Sequence, residues 1–354
     1  MQTPWIHIVG GGLAGLSLAR ELARYDTLPG AVIVSETRTE YSDDRTFSFW
    51  CSESERAYLQ PQTLHTRWSI SAGSTTHVMQ GQRYAYGTRS SIDFYKEAMA
   101  SIEAHPAIHW RHETCQQAPT AHWVFDSRPP QVDQFQVVQS FHGVVARTIA
   151  PHHIHQVSLM DDLQTIAQGV RFRYVVPLSA NELLVEYTDF AAGPSSLDAL
   201  GQHNQTWLTE TFGSQWQTVR TEQAHIPMGL KGHGQHFGTP IGTRGGMARD
   251  ATGYSYVRTQ HWARACARCL IAGKRWPPVA APVWEQWMDQ RLLQLITQRP
   301  DCVPGIFMRM AKRLDADVFA RFMMQQTPMD ALKVILVSPK KPFLCASIGQ
   351  LQWI

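Results

Sequence analysis

The chain has 354 residues, 44% hydrophobic and 17% charged, enough to bury a large core and to divide into two lobes. A formal charge of +3, with no Lys/Arg block interleaved with aromatics, argues against a nucleic-acid binder. Cysteines at 51, 115, 266, 269, 302 and 345 form no disulfide framework, which points to a reducing cytoplasm, and Cys266-x-x-Cys269 reads as structural, so no metal is expected.

In chain order, residues 5–9 read as a buried strand, and Gly10-Gly11-Gly12-Leu13-Ala14-Gly15 supplies G-x-G-x-x-G. Residues 16–25 continue at helical spacing, and residues 31–35 form a second strand ending at Glu36. Gly10 permits the tight turn, Gly12 lets backbone approach a pyrophosphate, and Gly15 lets helix and strand pack closely. Leu13 and Ala14 open a helix whose unspent N–H groups would face phosphates. Glu36 can accept from both hydroxyls of an adenosine ribose, which disfavours a 2'-phosphorylated one. These elements in this order predict a dinucleotide site, although the fingerprint does not choose between FAD and NAD.

The continuation favours FAD. Short βα units do not follow; instead come Asp43-Asp44-Arg45-Thr46-Phe47-Ser48, then strands near 66–70 and 78–86 and a helix over 91–104. Residues 107–110 and 122–126 are expected to rejoin the parallel sheet. Asp126-Ser127-Arg128 at a strand end either touches the cofactor or forms an ion pair joining the lobes. Arg45 is read in the same two ways.

Residues 136–142, 156–160, 170–178 and 182–190 read as strands, the last two as a hairpin turning at residues 179–181. Alternation puts Leu184, Glu186 and Thr188 on one face and Leu183, Val185 and Tyr187 on the other. An ionised carboxylate is costly in such a strand, so Glu186 is either solvated polar cover or a proton-holding acid. A helix over 198–211 and a strand over 220–226 precede Pro227. Residues 241–247 read as a strand entering a glycine turn. Thr252-Gly253-Tyr254-Ser255 then leads a helix ending at Gly273, either as a cofactor contact or as an ordinary cap. Helices follow at 284–295, 306–314, 317–326 and 328–337. This Met- and Phe-rich tail is either a packed subdomain or an apolar surface for a tunnel or membrane.

The fingerprint, residues 45–49 (Arg-Thr-Phe-Ser-Phe), 124–128, 139–143, the hairpin with Glu186 and Thr252-Gly253-Tyr254-Ser255 together resemble flavin-dependent lycopene cyclases of the bacterial and plant type. Two departures are Tyr187, where that family places a second acid, and Asp250, where it places proline. The resemblance implies an α/β, FAD-binding Rossmann-like (GR2-type) fold with an inserted antiparallel sheet and a helical C-terminal tail. The expected division is a cofactor lobe of 1–132 and 236–272, a substrate lobe of 133–235 and a helical region of 273–354. It implies non-redox closure of the ψ-end of a linear carotenoid to a β-ring, with Glu186 as the acid. FAD would act reduced, NAD(P)H would supply the electrons, and the cofactor contacts would be Gly10, Gly12, Leu13, Ala14, Gly15, Glu36, Arg45, Asp126, Thr252, Gly253 and Tyr254. The alternatives are an FAD oxidoreductase (monooxygenase or isoprenoid reductase) on an apolar substrate and a non-catalytic flavin- or polyene-binding protein. No stretch reaches the roughly 20 apolar residues of a span. A carotenoid enzyme would therefore sit peripherally on the inner face of the cell membrane, with Phe307, Met308, Phe322 and Met323 as exposed anchors.

Overall fold

Continuous apolar runs flanked by glycine turns become fully buried parallel strands here, because helices cover the sheet on its faces. The computed structural model describes residues 3–130, 135–229, 234–279, 281–324, 327–341 and 343. The first lobe opens with β1 (Ile6–Val9), α1 (Leu13–Leu22), β2 (Val32–Glu36), β3 (Thr46–Ser52) and α2 (Glu53–Leu59). It continues with β4 (Thr63–His65), β5 (Arg67–Ala72), β6 (Thr75–Gln80), β7 (Tyr84–Ser90), α3 (Ser91–Glu103), β8 (Ile108–His112) and β9 (Trp123–Asp126). The middle contains β10 (Val137–Thr148), β11 (Val157–Ile166), β12 (Gly169–Pro177), β13 (Glu182–Ala191), α4 (Leu197–Phe212) and β14 (Trp216–Met228). The chain returns through β15 (Thr239–Pro240) and α5 (Tyr256–Ile271), then runs α6 (Val283–Gln298), α7 (Val303–Arg313), α8 (Ala316–Met324) and α9 (Pro328–Val337).

The cofactor-side sheet is parallel in the order β15-β9-β1-β2-β8, so the strands expected to rejoin it do so. Residues 241–247 differ from expectation: pairing stops at Pro240 and the segment is a run of turns. Gly242 and Gly246 there take φ of +67° and +81°, conformations that break a strand.

The second sheet has seven strands in the order β14-β10-β13-β12-β11-β5-β6, with two strands contributed from before residue 81. Strand β14 runs through Pro227, further than the sequence suggested. It lies at the sheet edge, paired only with β10, where the missing N–H of proline costs no ladder bond. The segment expected as one strand at 78–86 is two, β6 and β7, separated by a turn whose N–H groups at Gln82, Arg83 and Tyr84 donate to Asp317 of α8. Strands β3, β7 and β4 form a third, antiparallel sheet.

Helix α4 covers one face of the seven-stranded sheet. Val144, Ala146, Val175, Leu183, Val185 and Leu208 make a small core there, and Tyr187 stacks on His203. The opposite face, carrying Phe172, Leu184 and Phe190, joins the main core with the first lobe and α6 to α8. Alternation along β13 therefore sends Tyr187 away from the centre and Glu186 toward it.

In the tail, Phe307 and Met323 are 3% and 5% exposed, Phe322 is buried and Met308 is partly buried. The expected anchors are core, because the apolar sides of α7 and α8 pack inward. Among the described residues no helix is long and apolar enough to cross a membrane. Exposed apolar side chains of the tail lie instead on α9, at Met329, Leu332, Ile335 and Leu336, and on α6, at Val283 and Trp287.

Candidate functional site

The turn from β1 into α1 is built from glycine for a reason visible at each position. Gly10 has φ +99°, and a Cβ on Gly15 would lie 2.0 Å from the Gly10 carbonyl oxygen. A Cβ on Gly12 would meet nothing within 4 Å, so the backbone there borders open space. Gly12 is the N-cap of α1 with no side-chain cap, and no acidic residue lies in the first turn. The first helical N–H groups, at Leu13, Ala14 and Gly15, thus point out of the helix start, where an anion is favoured.

Glu36 closes the other side of the turn. Its carboxylate accepts from Gly11 N at 2.6 Å, Thr37 N at 2.8 Å and Arg38 N at 3.0 Å. Burial opposes the charge, but these N–H groups, the Arg38 guanidinium and the Thr37 hydroxyl outweigh it and lower the pKa. Glu36 is therefore a held anion able to receive ribose hydroxyls. The open backbone at Gly12, the uncapped helix start and this acid fit a dinucleotide.

Asp126 is fully buried and spends its oxygens on Arg128, at 2.9 and 2.7 Å, and on Phe237 N at 2.9 Å. All three residues belong to the first lobe, so this is no ion pair between lobes; it ties the end of β9 to the chain entering β15. Arg45 is half exposed and bidentate to Asp44 at 3.1 and 2.9 Å. Thr252 donates to the Met323 carbonyl at 3.2 Å. Gly253 has φ +73°, and a Cβ on it would lie 2.8 Å from Gln139 Oε1, a buried acceptor lacking a donor. An N–H on a bound ring system is the kind of group that satisfies such an acceptor. Helix α5, begun by this turn, packs on α1, where Gln260 donates to Ser17 at 2.8 Å and accepts from Arg20 at 2.6 Å.

Glu186 lies on the central face of β13, opposite Tyr174 on β12 and Gly143 on β10. Thr188 Oγ1 donates to its carboxylate at 2.7 Å, and no cation pairs with it among the described residues. Burial first, then the negative charge of Glu222, push its pKa up to about 8, and Thr188 only partly offsets them. At neutral pH Glu186 is a neutral acid. Around it, Tyr86 Oη bonds Tyr174 Oη at 2.7 Å and Tyr254 Oη at 3.1 Å, and the Trp50 ring sits 5.2 Å from Tyr254 and 4.6 Å from Tyr86. All three tyrosines are driven far above the usual phenol range by burial, so they stay neutral. An acid facing aromatic rings can donate a proton to an apolar π-bond and tolerate the cation that results.

Sequence reading did not single out Glu222, Tyr86 and Trp50. Glu222 was detectable: Arg220 and Glu222 are opposite charges two apart on a strand, hence on one face. Cys266 is buried in α5 and its thiol is pushed up by burial, in keeping with a structural role. Among the described residues His7, Glu113 and Cys115 bring ligand-type atoms within 4.8 Å of one another, and Ser35 bridges His7 and Glu113 at 2.7 and 2.6 Å.

The two sheets and the cradle define a protein of the FAD-binding Rossmann-like fold. Solved structures with this fold include a geranylgeranyl bacteriochlorophyll reductase-like protein from Thermoplasma acidophilum, with TM-score 0.57 and 11% identity over 97% of this chain and 98% of that one. A flavin-dependent brominase triple mutant aligns with TM-score 0.60 and 10% identity over 92% of this chain and 96% of that one. The lycopene cyclase protein family model matches residues 6–347, and the chain belongs to that family. It is 30% identical over 165 residues to a lycopene beta-cyclase of Paracoccus sp. (strain N81106 / MBIC 01143), covering 44% of this chain and 41% of the relative. It is 36% identical over 124 residues to one of Pseudescherichia vulneris, covering 33% of this chain and 32% of the relative. The matched stretches thus span less than half of either relative.

Proposed function

We propose that the chain cyclises the ψ-end group of lycopene or a related linear carotenoid to a β-ring. The observation that carries this reading is Glu186, a carboxylic acid kept neutral and turned toward an aromatic interior in a chain of the lycopene cyclase family. In the proposed mechanism Glu186 donates its proton to the terminal 1,2 double bond. The 5,6 double bond attacks the tertiary cation, closing a six-membered ring, and loss of the C6 proton gives the product. One proton enters and one leaves, so the product is an isomer of the substrate. Tyr174 and Tyr254, which are partly exposed, offer ring faces to the cation, and the buried Trp50 and Tyr86 pack behind them.

FAD fits the cradle, with Gly10, Gly12, Leu13, Ala14 and Gly15 at the pyrophosphate, Glu36 at the adenosine ribose, and Thr252, Gly253 and Tyr254 nearer the ring. Arg45 and Asp126 border the same lobe. When bound in its reduced form, with NAD(P)H as electron source, FAD would supply negative charge to the site. Gly15→Ala is expected to empty the site: its methyl collides with the Gly10 carbonyl, so purified protein should lack a flavin spectrum and take up no added FAD. A normal flavin content would show that the turn is not the cofactor's seat.

Pigment analysis of cells making a linear carotenoid tests the activity. With this chain present, the product should keep the substrate mass and shift in retention time. A mass change would replace cyclisation by oxidoreduction, and no change would remove the activity.

We also place the protein at the inner face of the cell membrane, through α9. Met329, Leu332, Ile335 and Leu336 are exposed on this helix, with Lys333 on it and Lys340 and Lys341 just beyond. Apolar insertion plus attraction to anionic headgroups gives reversible binding that salt weakens. Liposome flotation should therefore retain the protein at low salt and lose it for Leu332→Glu/Leu336→Glu. Equal flotation of that variant would move the contact elsewhere.

A further inference from the structure

Strand β10 places Gly143 between two glutamates. Glu186 of β13 and Glu222 of β14 are each the direct cross-strand partner of Gly143, so the three residues form one row on one face of the sheet. The glutamate Cα atoms are then about 9.6 Å apart, two strand spacings. Glycine leaves the row's middle empty, and the Glu222 side chain leans into it: a Cβ on Gly143 would lie 2.9 Å from Glu222 Cγ and 3.2 Å from Leu184 Cδ1. Two carboxyl groups thus face one another over a residue that cannot screen them.

Their surroundings differ. Glu222 is 5% exposed and receives Arg220 Nη1 at 2.6 Å and the Thr46 hydroxyl at 3.2 Å. Arg220 also donates to Thr46 Oγ1 and pairs with Asp43 at 2.8 Å, and Arg45 adds a further positive charge facing Glu222. Among the described residues, Glu186 faces neutral groups besides Glu222: Thr188 on its own strand, Tyr174 on β12 and Tyr254 before α5. Of two interacting carboxyls, the one with the guanidinium keeps its charge and the other keeps the proton. Burial leaves the Glu222 pKa above the ordinary carboxylate value too, but Arg220 and Thr46 work against that rise, whereas only the Thr188 hydroxyl does so for Glu186.

We propose that Glu222 is a positioning residue, an anion held by Arg220 and Thr46 whose charge across the Gly143 gap keeps Glu186 protonated for the reaction. Such an anion costs burial energy, and the Arg220–Thr46–Asp43 cluster, which spans both lobes, offsets it. Lobe docking and acid strength are thereby linked, since Thr46 and Asp43 come from the cofactor side.

The proposal rests on Glu186 being the acid, and the test separates the two. With the FAD-loaded full chain, cyclisation rate is measured against pH, and the carbonyl stretch of the protonated carboxyl is titrated by infrared spectroscopy without substrate. That band should be missing in Glu186→Gln. In Glu222→Gln the alkaline limb and the band midpoint should both fall by on the order of one pH unit, with the acid-side rate within about threefold of wild type. Glu222→Asp, which withdraws the charge by one methylene, should lie between the two and decides the matter if the Gln variant does not fold. An unmoved limb and band, or a loss equal at every pH, would overturn the role of Glu222. Full activity in Glu186→Gln would instead overturn the acid itself.

Discussion

Glu186→Gln is expected to lose cyclisation by about 10²–10⁴-fold or more while keeping flavin and fold, because the amide preserves shape and cannot donate the proton. Wild-type activity should fall as pH rises through about 8, where Glu186 loses its proton. The same titration appears in stability. The folded-state pKa is raised from 4.5 to about 8, so between these values the folded protein binds a proton that the unfolded chain does not. The stabilisation is complete below pH 4.5 and lost as pH rises through 8, by on the order of a few kcal/mol. Glu186→Gln removes this slope, so its melting temperature relative to wild type should rise between pH 5 and pH 9. Parallel curves across that range would show that Glu186 is not held neutral.

Asp289→Ala should be the most damaging single change away from the acid. Arg249 and Asp289 are 1% and 2% exposed and bonded at 2.8 Å, and Arg249 also donates to the Phe322 carbonyl of α8. Removing the carboxylate leaves a buried guanidinium unpaired, a cost of about 3–5 kcal/mol and on the order of 10 °C in Tm. The effect should reach the site, since the Arg249 carbonyl accepts from Thr252 N at 3.2 Å and Gly253 N at 2.8 Å, and Arg249 N donates to Tyr254 O at 3.0 Å. Thermal melting and flavin content together check it. The double change Arg249→Met/Asp289→Leu should recover much of the melting temperature, because it removes both charges. An Asp289→Ala protein that melts like wild type would mean the pair carries no weight.

What could be read from the sequence was what is encoded locally. The strand, glycine turn, helix and acid at residues 6–36 are consecutive, and so is the hairpin that puts Glu186 and Thr188 on one face. The cap of α9 is equally local: the Thr327 side chain accepts from Asp330 N at 3.1 Å. What escaped depends on partners distant in sequence. Glu222 gains meaning only through the register of β10, which sets Gly143 beside it, and Tyr86, Tyr174 and Tyr254 meet from three separate segments. The tail was misread for a related reason. Phe307, Phe322 and Met323 mark an apolar side, but only packing against the seven-stranded sheet and β3 decides that this side faces inward. Met329, Leu332, Ile335 and Leu336 have the same chemistry and the opposite exposure.

The late return of β15 also governs the order of events during synthesis. Its partner strand β9 ends at Asp126, and Pro240 pairs with that residue, so the parallel sheet stays unfinished while residues 127–240 are made. At ribosomal rates of 5–20 residues per second that interval lasts about 6–23 s. Throughout it the nascent chain exposes the naked edge of β9, with Asp126 still lacking its Phe237 partner. The glycine turn is by then long complete, but α5, which buttresses α1, emerges only after the whole acid-bearing sheet. The parallel sheet is therefore completed from chain made after the acid-bearing sheet, so the first lobe cannot reach its final form before every strand of the second has been synthesised.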